Sequence, residues 1–136
     1  MRILIADDHA VVRKGVCSIL ESHKDLEVCG EASNGKEAIQ KAIELEPNLV
    51  ILDVTMPVLN GFRAAKKINE LMPDVPILML SMHTGEEMVR ISRSVGARGF
   101  VNKGEIAEVL LKAVNTLLAG KTFFPDGNRL QERSHL

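Results

Sequence analysis

The centre of the chain carries the segment Asn48-Leu49-Val50-Ile51-Leu52-Asp53-Val54-Thr55-Met56-Pro57-Val58-Leu59-Asn60-Gly61. Four apolar residues lead without polar interruption into the carboxylate Asp53, and a proline and an Asn-Gly pair then end regular structure. A strand that is apolar on both faces is typical of a parallel sheet with helices on both sides. The segment therefore predicts a buried strand with Asp53 at its carboxyl end, the edge at which open α/β sheets bind ligands. An aspartate in this position also fits a simple turn or capping role.

The same alternation of strand and helix extends over most of the chain. Short apolar runs, each followed by a segment with apolar residues at helical spacing, recur at residues 2–6, 26–32, 77–81 and 99–103. The second helix, for example, is expected to turn Ala42 and Ile43 inward. Five strand–helix units with short connections predict an α/β fold, a doubly wound parallel sheet with helices on both faces and right-handed crossovers.

The size and composition of the chain limit the classes of protein it can belong to. It has 136 residues, 46% of them hydrophobic, which suits a single folded domain. We expect this domain at residues 1–119, and at residues 120–136 the start of a linker or a loosely attached tail, because the pattern stops there. A net charge of -1 gives no overall attraction to nucleic acid or to an anionic membrane. No apolar run has the roughly 20 residues of a membrane span and no leader opens the chain, so we expect a cytoplasmic protein without a membrane partner.

Reactive side chains follow four of the five predicted strands: Asp7 and Asp8, Asp53, Ser81, and Lys103. If the first and third strands are neighbours, the three carboxylates converge and repel one another unless a cation lies among them. Oxygen ligands of this kind suit Mg²⁺. Ser81 offers a hydrogen-bond donor and Lys103 a positive charge for a phosphoryl group, and a carboxylate is a competent nucleophile toward phosphorus.

These residues, together with Met56-Pro57, Gly61 and Phe100, make the chain resemble the receiver domain of bacterial two-component response regulators. The resemblance covers roughly residues 1–118. It implies a flavodoxin-like (βα)₅ fold, a three-layer sandwich whose parallel sheet has the strand order 2-1-3-4-5. In that order the first and third strands are neighbours, as the convergence of the carboxylates requires.

The resemblance also implies a role for each site residue. Asp53 would accept a phosphoryl group from a phosphohistidine of a sensor histidine kinase. Asp8, Asp53 and the backbone carbonyl of Thr55 would hold Mg²⁺, with Asp7 acting through a bound water. Lys103 and the hydroxyl of Ser81 would each bind a phosphoryl oxygen.

A conformational switch is expected from the same chemistry. Phosphorylation adds charge and acceptor oxygens, which would draw Ser81 toward Asp53 and let Phe100 rotate inward behind it. Simple core packing is the alternative role for Phe100. Three residues close to Asp53 or Ser81 in the sequence are expected to tune phosphodonor access and phosphoryl lifetime: Thr55, Met82 and His83.

Three short motifs resemble the NarL/FixJ-like subfamily, whose receivers precede a LuxR-type helix-turn-helix domain: Ser81-Met82-His83, Gly96-Ala97-Arg98-Gly99-Phe100, and Gly104 after Lys103. This likeness implies transcription regulation, with DNA bound only through an output domain that is not in this chain. A stand-alone receiver is the alternative. Mixed charges on the fourth helix, last strand and fifth helix suggest a homodimer formed on phosphorylation through this face, and a solvated surface explains them equally well: Glu86, Glu87, Arg90, Arg93, Arg98, Glu105, Glu108 and Lys112.

Two other functions fit the predicted fold less well. A magnesium-dependent aspartyl phosphotransferase needs a second acid two residues after its nucleophile, where this chain has Thr55. A flavin carrier needs a loop rich in Ser, Thr and Gly after the first strand, where this chain has Asp7-Asp8. We therefore expect a switch and not an enzyme, catalysing only its own phosphorylation and dephosphorylation.

Overall fold

The computed structural model describes residues 1–83 and 85–124. Strands and helices alternate along these ranges. The strands are β1 (Arg2–Ala6), β2 (Glu27–Ala32), β3 (Leu49–Asp53), β4 (Ile77–Ser81) and β5 (Gly99–Asn102). The helices are α1 (Ala10–Glu21), α2 (Gly35–Leu45), α3 (Gly61–Leu71), α4 (Glu86–Ser94) and α5 (Ile106–Leu118), with a short 3₁₀ helix at Lys103–Glu105.

The strands form one parallel sheet in the order β2-β1-β3-β4-β5. Every residue of β3 is buried, as expected for a central strand covered on both faces. β1 and β3 are direct neighbours, with Ile5 opposite Ile51, and β4 lies on the other side of β3, with Leu80 opposite Asp53. The predicted doubly wound fold and strand order are confirmed.

Side chains that alternate along the strands divide the core into two halves. Ile3 and Ile5 pack with α1 and α5 on one face, while Leu4 and Ala6 pack with α2, α3 and α4 on the other. A fully buried Leu or Ile stabilises the fold by about 1.5–3 kcal/mol relative to an exposed one. The three-layer arrangement therefore follows from the period-two pattern of strands that are apolar on both sides.

Asparagine side chains cap the amino ends of α2 and α3. The side chain of Asn34 accepts a hydrogen bond from the backbone N–H of Glu37 at 2.8 Å, and that of Asn60 accepts one from Arg63 at 3.0 Å. Such caps satisfy donors that the first helical turn leaves unpaired. The cap at Asn60 fixes where the loop after β3 ends and α3 begins.

The prediction that Ile43 faces inward is wrong. Its relative exposure is 54%, because α2 packs closely on the sheet through the small residues Ala38 and Ala42. This close approach leaves Ile43 at the margin of the contact. In the ranges that the structure describes, no helix is both long enough and apolar enough to span a membrane.

The expectation of a loose tail from residue 120 needs correction for residues 121–124. Phe123 forms a parallel bridge with Gly99, and its N–H donates to the carbonyl of Arg98 at 2.9 Å. Phe123 and Phe124 are only 9% and 4% exposed. Two adjacent phenylalanines gain by leaving water, and the free edge of β5 offers backbone partners for their chain. The rest of the predicted tail lies outside the described residues.

Candidate functional site

The carboxyl ends of three strands bring acidic and basic groups into one buried cluster. Asp7 directly follows β1, Asp53 is the last residue of β3, and Lys103 directly follows β5. The Lys103 Nζ atom lies 2.8 Å from Asp7 Oδ2 and 3.1 Å from Asp53 Oδ2. All three side chains are at most 5% exposed. Because β5 is two strands from β3, about 10 Å across the sheet, a long basic side chain is needed to close this contact.

One ammonium group serves two buried carboxylates at this site. Neither Asp7 Oδ2 nor Asp53 Oδ2 accepts a well-directed hydrogen bond from the described residues, so the charge of Lys103 is what holds them together. Asp8 adds a third, partly exposed carboxylate at the rim. The site therefore carries two negative charges in excess of Lys103.

This excess fits a divalent cation. Asp7, Asp8, His9 and Asp53 each offer one ligand atom, and these atoms all lie within 4.8 Å of one another. Three of the four are carboxylate oxygens, the ligand type that Mg²⁺ prefers. The residues present can therefore hold the ion that the sequence predicts.

The crowding of charges shifts the proton affinities of the buried groups. Burial raises the pKa of the Asp53 carboxyl from 3.8 to about 6, and the negative charge of Asp7 adds to the rise against the opposing effects of Lys103 and the Thr55 N–H. Burial acts to lower the pKa of Lys103, but the adjacent carboxylates outweigh it and raise that pKa. At neutral pH Asp53 is therefore mostly ionised, and Lys103 stays protonated beside it.

The loop after β3 folds back tightly against the end of its own strand. The Thr55 N–H donates to Asp53 Oδ1 at 3.3 Å, and the Gly61 N–H donates to the carbonyl of Val54 at 2.8 Å. A Cβ atom at Gly61 would lie 1.9 Å from the backbone oxygen of Asp53. Only glycine allows this approach, which explains physically why Gly61 stands after the predicted acceptor.

The remaining predicted residues lie at the same edge or behind it. Ser81 ends β4, is 2% exposed, and its hydroxyl oxygen accepts the His83 N–H at 3.0 Å. Thr55, Met82 and His83 are exposed at the rim, Met82 by 71%. Phe100 lies in β5 opposite Met79 and is 3% exposed. The structure thus brings Asp7, Asp8, Asp53 and Lys103 together, places Ser81 at the same edge, and buries Phe100 in the core.

Comparison with known proteins identifies the family. A sequence profile described as the response regulator receiver domain matches residues 3–115. The chain belongs to this family. The oxygen regulatory protein NreC of Staphylococcus epidermidis (strain RP62A) is 44% identical to the receiver domain over 124 residues, 90% of this chain and 57% of NreC. The transcriptional regulatory protein LnrK of Bacillus subtilis is 38% identical over 125 residues, 92% of this chain and 57% of LnrK.

A solved structure is similar over almost the whole receiver domain. The crystal structure of a LuxR-family two-component response regulator from Aurantimonas sp. SI85-9A1 matches it with a TM-score of 0.89 and 32% identity, covering 98% of this chain and 97% of that one. The predicted family is confirmed, and the likeness to a LuxR-family regulator supports the predicted subfamily. The matched part of this chain spans 57% of the length of both NreC and LnrK.

Three residues at the site of the receiver domain escaped the sequence analysis. His9 Nδ1 lies 3.3 Å from Asp7 Oδ1 and 3.2 Å from Asp8 Oδ1. The Arg13 guanidinium donates to the backbone carbonyl of Asp7 at 2.6 Å. The Asn102 side-chain oxygen accepts the Gly104 N–H at 2.7 Å and so shapes the turn that carries Lys103. For His9 and Asn102 the signal was adjacency to a predicted site residue. Arg13 stands six residues after Asp7, on the first turns of α1, and nothing in the sequence around it indicates the contact.

Proposed function

We propose that the receiver domain is a cytoplasmic, phosphorylation-controlled switch in which Asp53 accepts the phosphoryl group of a phosphohistidine on a sensor histidine kinase. The observation that supports this most is the contact of Lys103 with both Asp7 and Asp53 in a pocket with excess negative charge. An Asp53 oxygen attacks phosphorus, the phosphorus–nitrogen bond breaks, and its electron pair returns to the imidazole. The product is an aspartyl phosphate.

The surrounding residues divide the tasks of this transfer. Asp8, Asp53 and the backbone carbonyl of Thr55 would hold Mg²⁺, and Asp7 would contribute through a bound water. When bound, the ion supplies positive charge that offsets the repulsion between carboxylates and incoming phosphoryl oxygens. Lys103 would neutralise the charge of one phosphoryl oxygen, and the Ser81 hydroxyl would move away from the His83 N–H and donate to another phosphoryl oxygen.

The switch consists of Ser81 and Phe100. Movement of Ser81 toward the phosphorylated Asp53 favours the inward position of Phe100. The 3% exposure of Phe100 supports the view that its side chain can occupy this position. Exposed residues at the rim set phosphodonor access and phosphoryl lifetime: Thr55, Met82 and His83. The receiver domain thereby catalyses only its own phosphorylation and dephosphorylation.

Labelling by a small phosphodonor tests this function. With Mg²⁺ and phosphoramidate the chain should take up one phosphoryl group, and a chelator should prevent it. Asp53→Asn should take up none, while Asp74→Asn, the same change at an exposed aspartate, should label like the wild-type chain. Undiminished labelling of Asp53→Asn would rule out Asp53 as the acceptor.

The output of the switch is transcription regulation. LnrK is named a transcriptional regulatory protein and the similar solved structure a LuxR-family regulator. We infer that this receiver controls an output domain and that DNA is bound only through that domain. A stand-alone receiver is the alternative, and the length of the natural reading frame beyond Leu136 decides between them.

Phosphorylation also favours a homodimer through α4, β5 and α5. The charged groups on this face are only partly free to pair with a second copy, since Arg98 donates to the carbonyl of Pro73 at 2.8 Å and Arg93 stacks on Phe124. Arg90 makes only a 3.8 Å contact with Glu87 on the same helix. A mass that doubles with Mg²⁺ and beryllofluoride supports the dimer, and an unchanged mass argues against it.

A further inference from the structure

The chain after α5 binds back onto the sheet as a short additional strand. We call Lys121–Phe124 the edge segment. Its backbone makes two hydrogen bonds with β5 and the residue before it: the Phe123 N–H donates to the carbonyl of Arg98, and the Phe100 N–H donates to the carbonyl of Phe123, both at 2.9 Å. The Lys121 N–H donates to the carbonyl of Thr116 at 3.1 Å, which ties the start of the segment to α5.

The two phenylalanines of the edge segment reach the two halves of the core. Phe123 belongs to the cluster under α1 and α5, and Phe124 belongs to the cluster under α2, α3 and α4. This alternation is that of a strand, in which successive side chains point to opposite faces. The edge segment therefore covers an edge that would otherwise expose unpaired backbone groups.

One side chain of α4 holds the edge segment from outside. The guanidinium carbon of Arg93 lies 4.1 Å from the centre of the Phe124 ring, within the range of a cation–π interaction. Arg90, one turn earlier on the same helix, is 75% exposed and contacts Glu87 instead. The contact with Phe124 is thus specific to the position of Arg93.

These contacts join the edge segment to Phe100, one of the two residues of the proposed switch, and to α4. Phe100 is the residue whose inward position phosphorylation favours, and its own backbone N–H is bonded to Phe123. Phe100 and Phe124 also belong to the same core cluster. A change at β5 therefore reaches the edge segment through the backbone hydrogen bond from Phe100 to Phe123. A change at α4 reaches it through the contact of the Arg93 side chain with Phe124.

We propose that the edge segment is a docked strand whose binding to β5 and α4 is strengthened by phosphorylation of Asp53. This inference rests on the proposed function and adds the route by which the phosphorylation signal leaves the fold. Phosphorylation stabilises the inward Phe100, the N–H of Phe100 then holds Phe123 more firmly, and Arg93 clamps Phe124. Phe124 is thereby held against the fold.

Thermodynamic linkage makes this coupling reciprocal. If occupation of the Asp53 pocket tightens docking of the edge segment by a given factor, docking must tighten binding at the pocket by the same factor. A substitution far from Asp53 that weakens docking of the edge segment should therefore also weaken binding of a phosphoryl analogue at the Asp53 pocket. A segment that only completes the core has no such effect.

Amide hydrogen exchange of the whole chain, followed residue by residue by NMR, tests the proposal. Beryllofluoride with Mg²⁺ serves as the phosphoryl analogue, and the shift of the Thr55 amide, which donates to Asp53, reports its binding. We expect exchange at the Phe123 amide to slow by about five-fold or more when the analogue is bound. A Thr55 shift with unchanged or faster exchange at Phe123 would overturn the inference and leave the proposed function intact. No Thr55 shift and no labelling of Asp53 would overturn the proposed function and the inference with it.

Two variants of α4 provide a matched comparison. Arg93→Ala removes the contact with Phe124, and Arg90→Ala removes the same side chain one turn away. In Arg93→Ala the slowing at Phe123 should fall below about two-fold and the analogue should bind correspondingly more weakly, whereas Arg90→Ala should behave like the wild-type chain. Equal behaviour of the two variants would remove Arg93 from the coupling.

Discussion

At the amino ends of the strands, charged and polar side chains are matched to backbone partners. The Arg2 N–H donates to Asn48 Oδ1 at 2.7 Å, and the Asn48 N–H donates to the carbonyl of Arg2 at 2.8 Å. The Arg2 guanidinium also donates to the carbonyls of Leu45 and Glu46, where α2 ends. These carbonyls carry the negative end of the helix dipole, so the contact is favourable.

At the carboxyl ends, the polar groups are buried and poorly matched. Asp7 and Asp53 share the single ammonium of Lys103, and burial raises the pKa of Asp53 to about 6. The polar groups at one edge of the sheet are therefore arranged for stability, and those at the other edge are arranged as the proposed phosphoryl transfer requires. Substitutions in the cluster at the carboxyl ends of the strands are therefore expected to stabilise the fold while impairing its function.

The largest stability effect should come from the close approach behind Asp53. Gly61→Ala should destabilise the fold by about 3 kcal/mol or more, because the new Cβ collides with the Asp53 backbone. Gly15→Ala is the control, since a Cβ there meets nothing within 4 Å. It should stabilise α1 by about 0.5–1 kcal/mol. Urea unfolding measures both, and equal effects would refute the steric argument.

The next largest effect concerns the buried charge of Asp53. Its pKa is raised in the folded state, so the folded chain binds the proton more tightly than the unfolded chain. The resulting stability is fully present below about pH 4 and is lost as the pH rises through about 6. In the absence of divalent cations, Asp53→Asn should therefore be more stable than the wild-type chain by about 2 kcal/mol at pH 8 and by close to zero at pH 4.

Thermal unfolding at both pH values measures this difference. Lys103 keeps its 2.8 Å contact with Asp7 in the variant, so the ammonium is not left alone. A variant that is less stable than the wild-type chain at pH 8 would contradict the picture of a strained carboxyl edge.

The smallest effect is expected at the amino end. Asn48→Ala removes the acceptor of the Arg2 N–H and should destabilise the fold by about 1 kcal/mol. Because this side chain lies at the opposite end of the sheet, phosphoramidate labelling of Asp53 should be unchanged. A large loss of labelling with a small loss of stability would break the separation of the two edges.

The sequence predicted the strands, and the acidic and basic residues that follow them, because their signals are local. An apolar run ending in Asp53 shows both the strand and the acid in one segment, and the strand order followed from the family resemblance. The contact of Lys103 with two acids from other strands depended on that order. What escaped were contacts without a local pattern, such as Arg13 on the Asp7 carbonyl.

The docked edge segment was missed for a different reason. A segment of four residues is too short to show a period, and Phe123-Phe124 stands among residues typical of a linker. The burial of these rings depends on the free edge of β5 and on Arg93, which are tertiary features. Similarly, the exposure of Ile43 depends on how closely two alanines let α2 approach the sheet.

Of the three clustered acids, we propose that Asp53 receives the phosphoryl group. The chain should be labelled with phosphoramidate and Mg²⁺, reduced with borohydride to convert an acyl phosphate into a stable alcohol, and mapped by peptide mass spectrometry. Reduction should be found at Asp53 and depend on prior labelling. Reduction at Asp7 or Asp8 instead, or a phosphoryl group recovered only on a serine or histidine, would contradict the account.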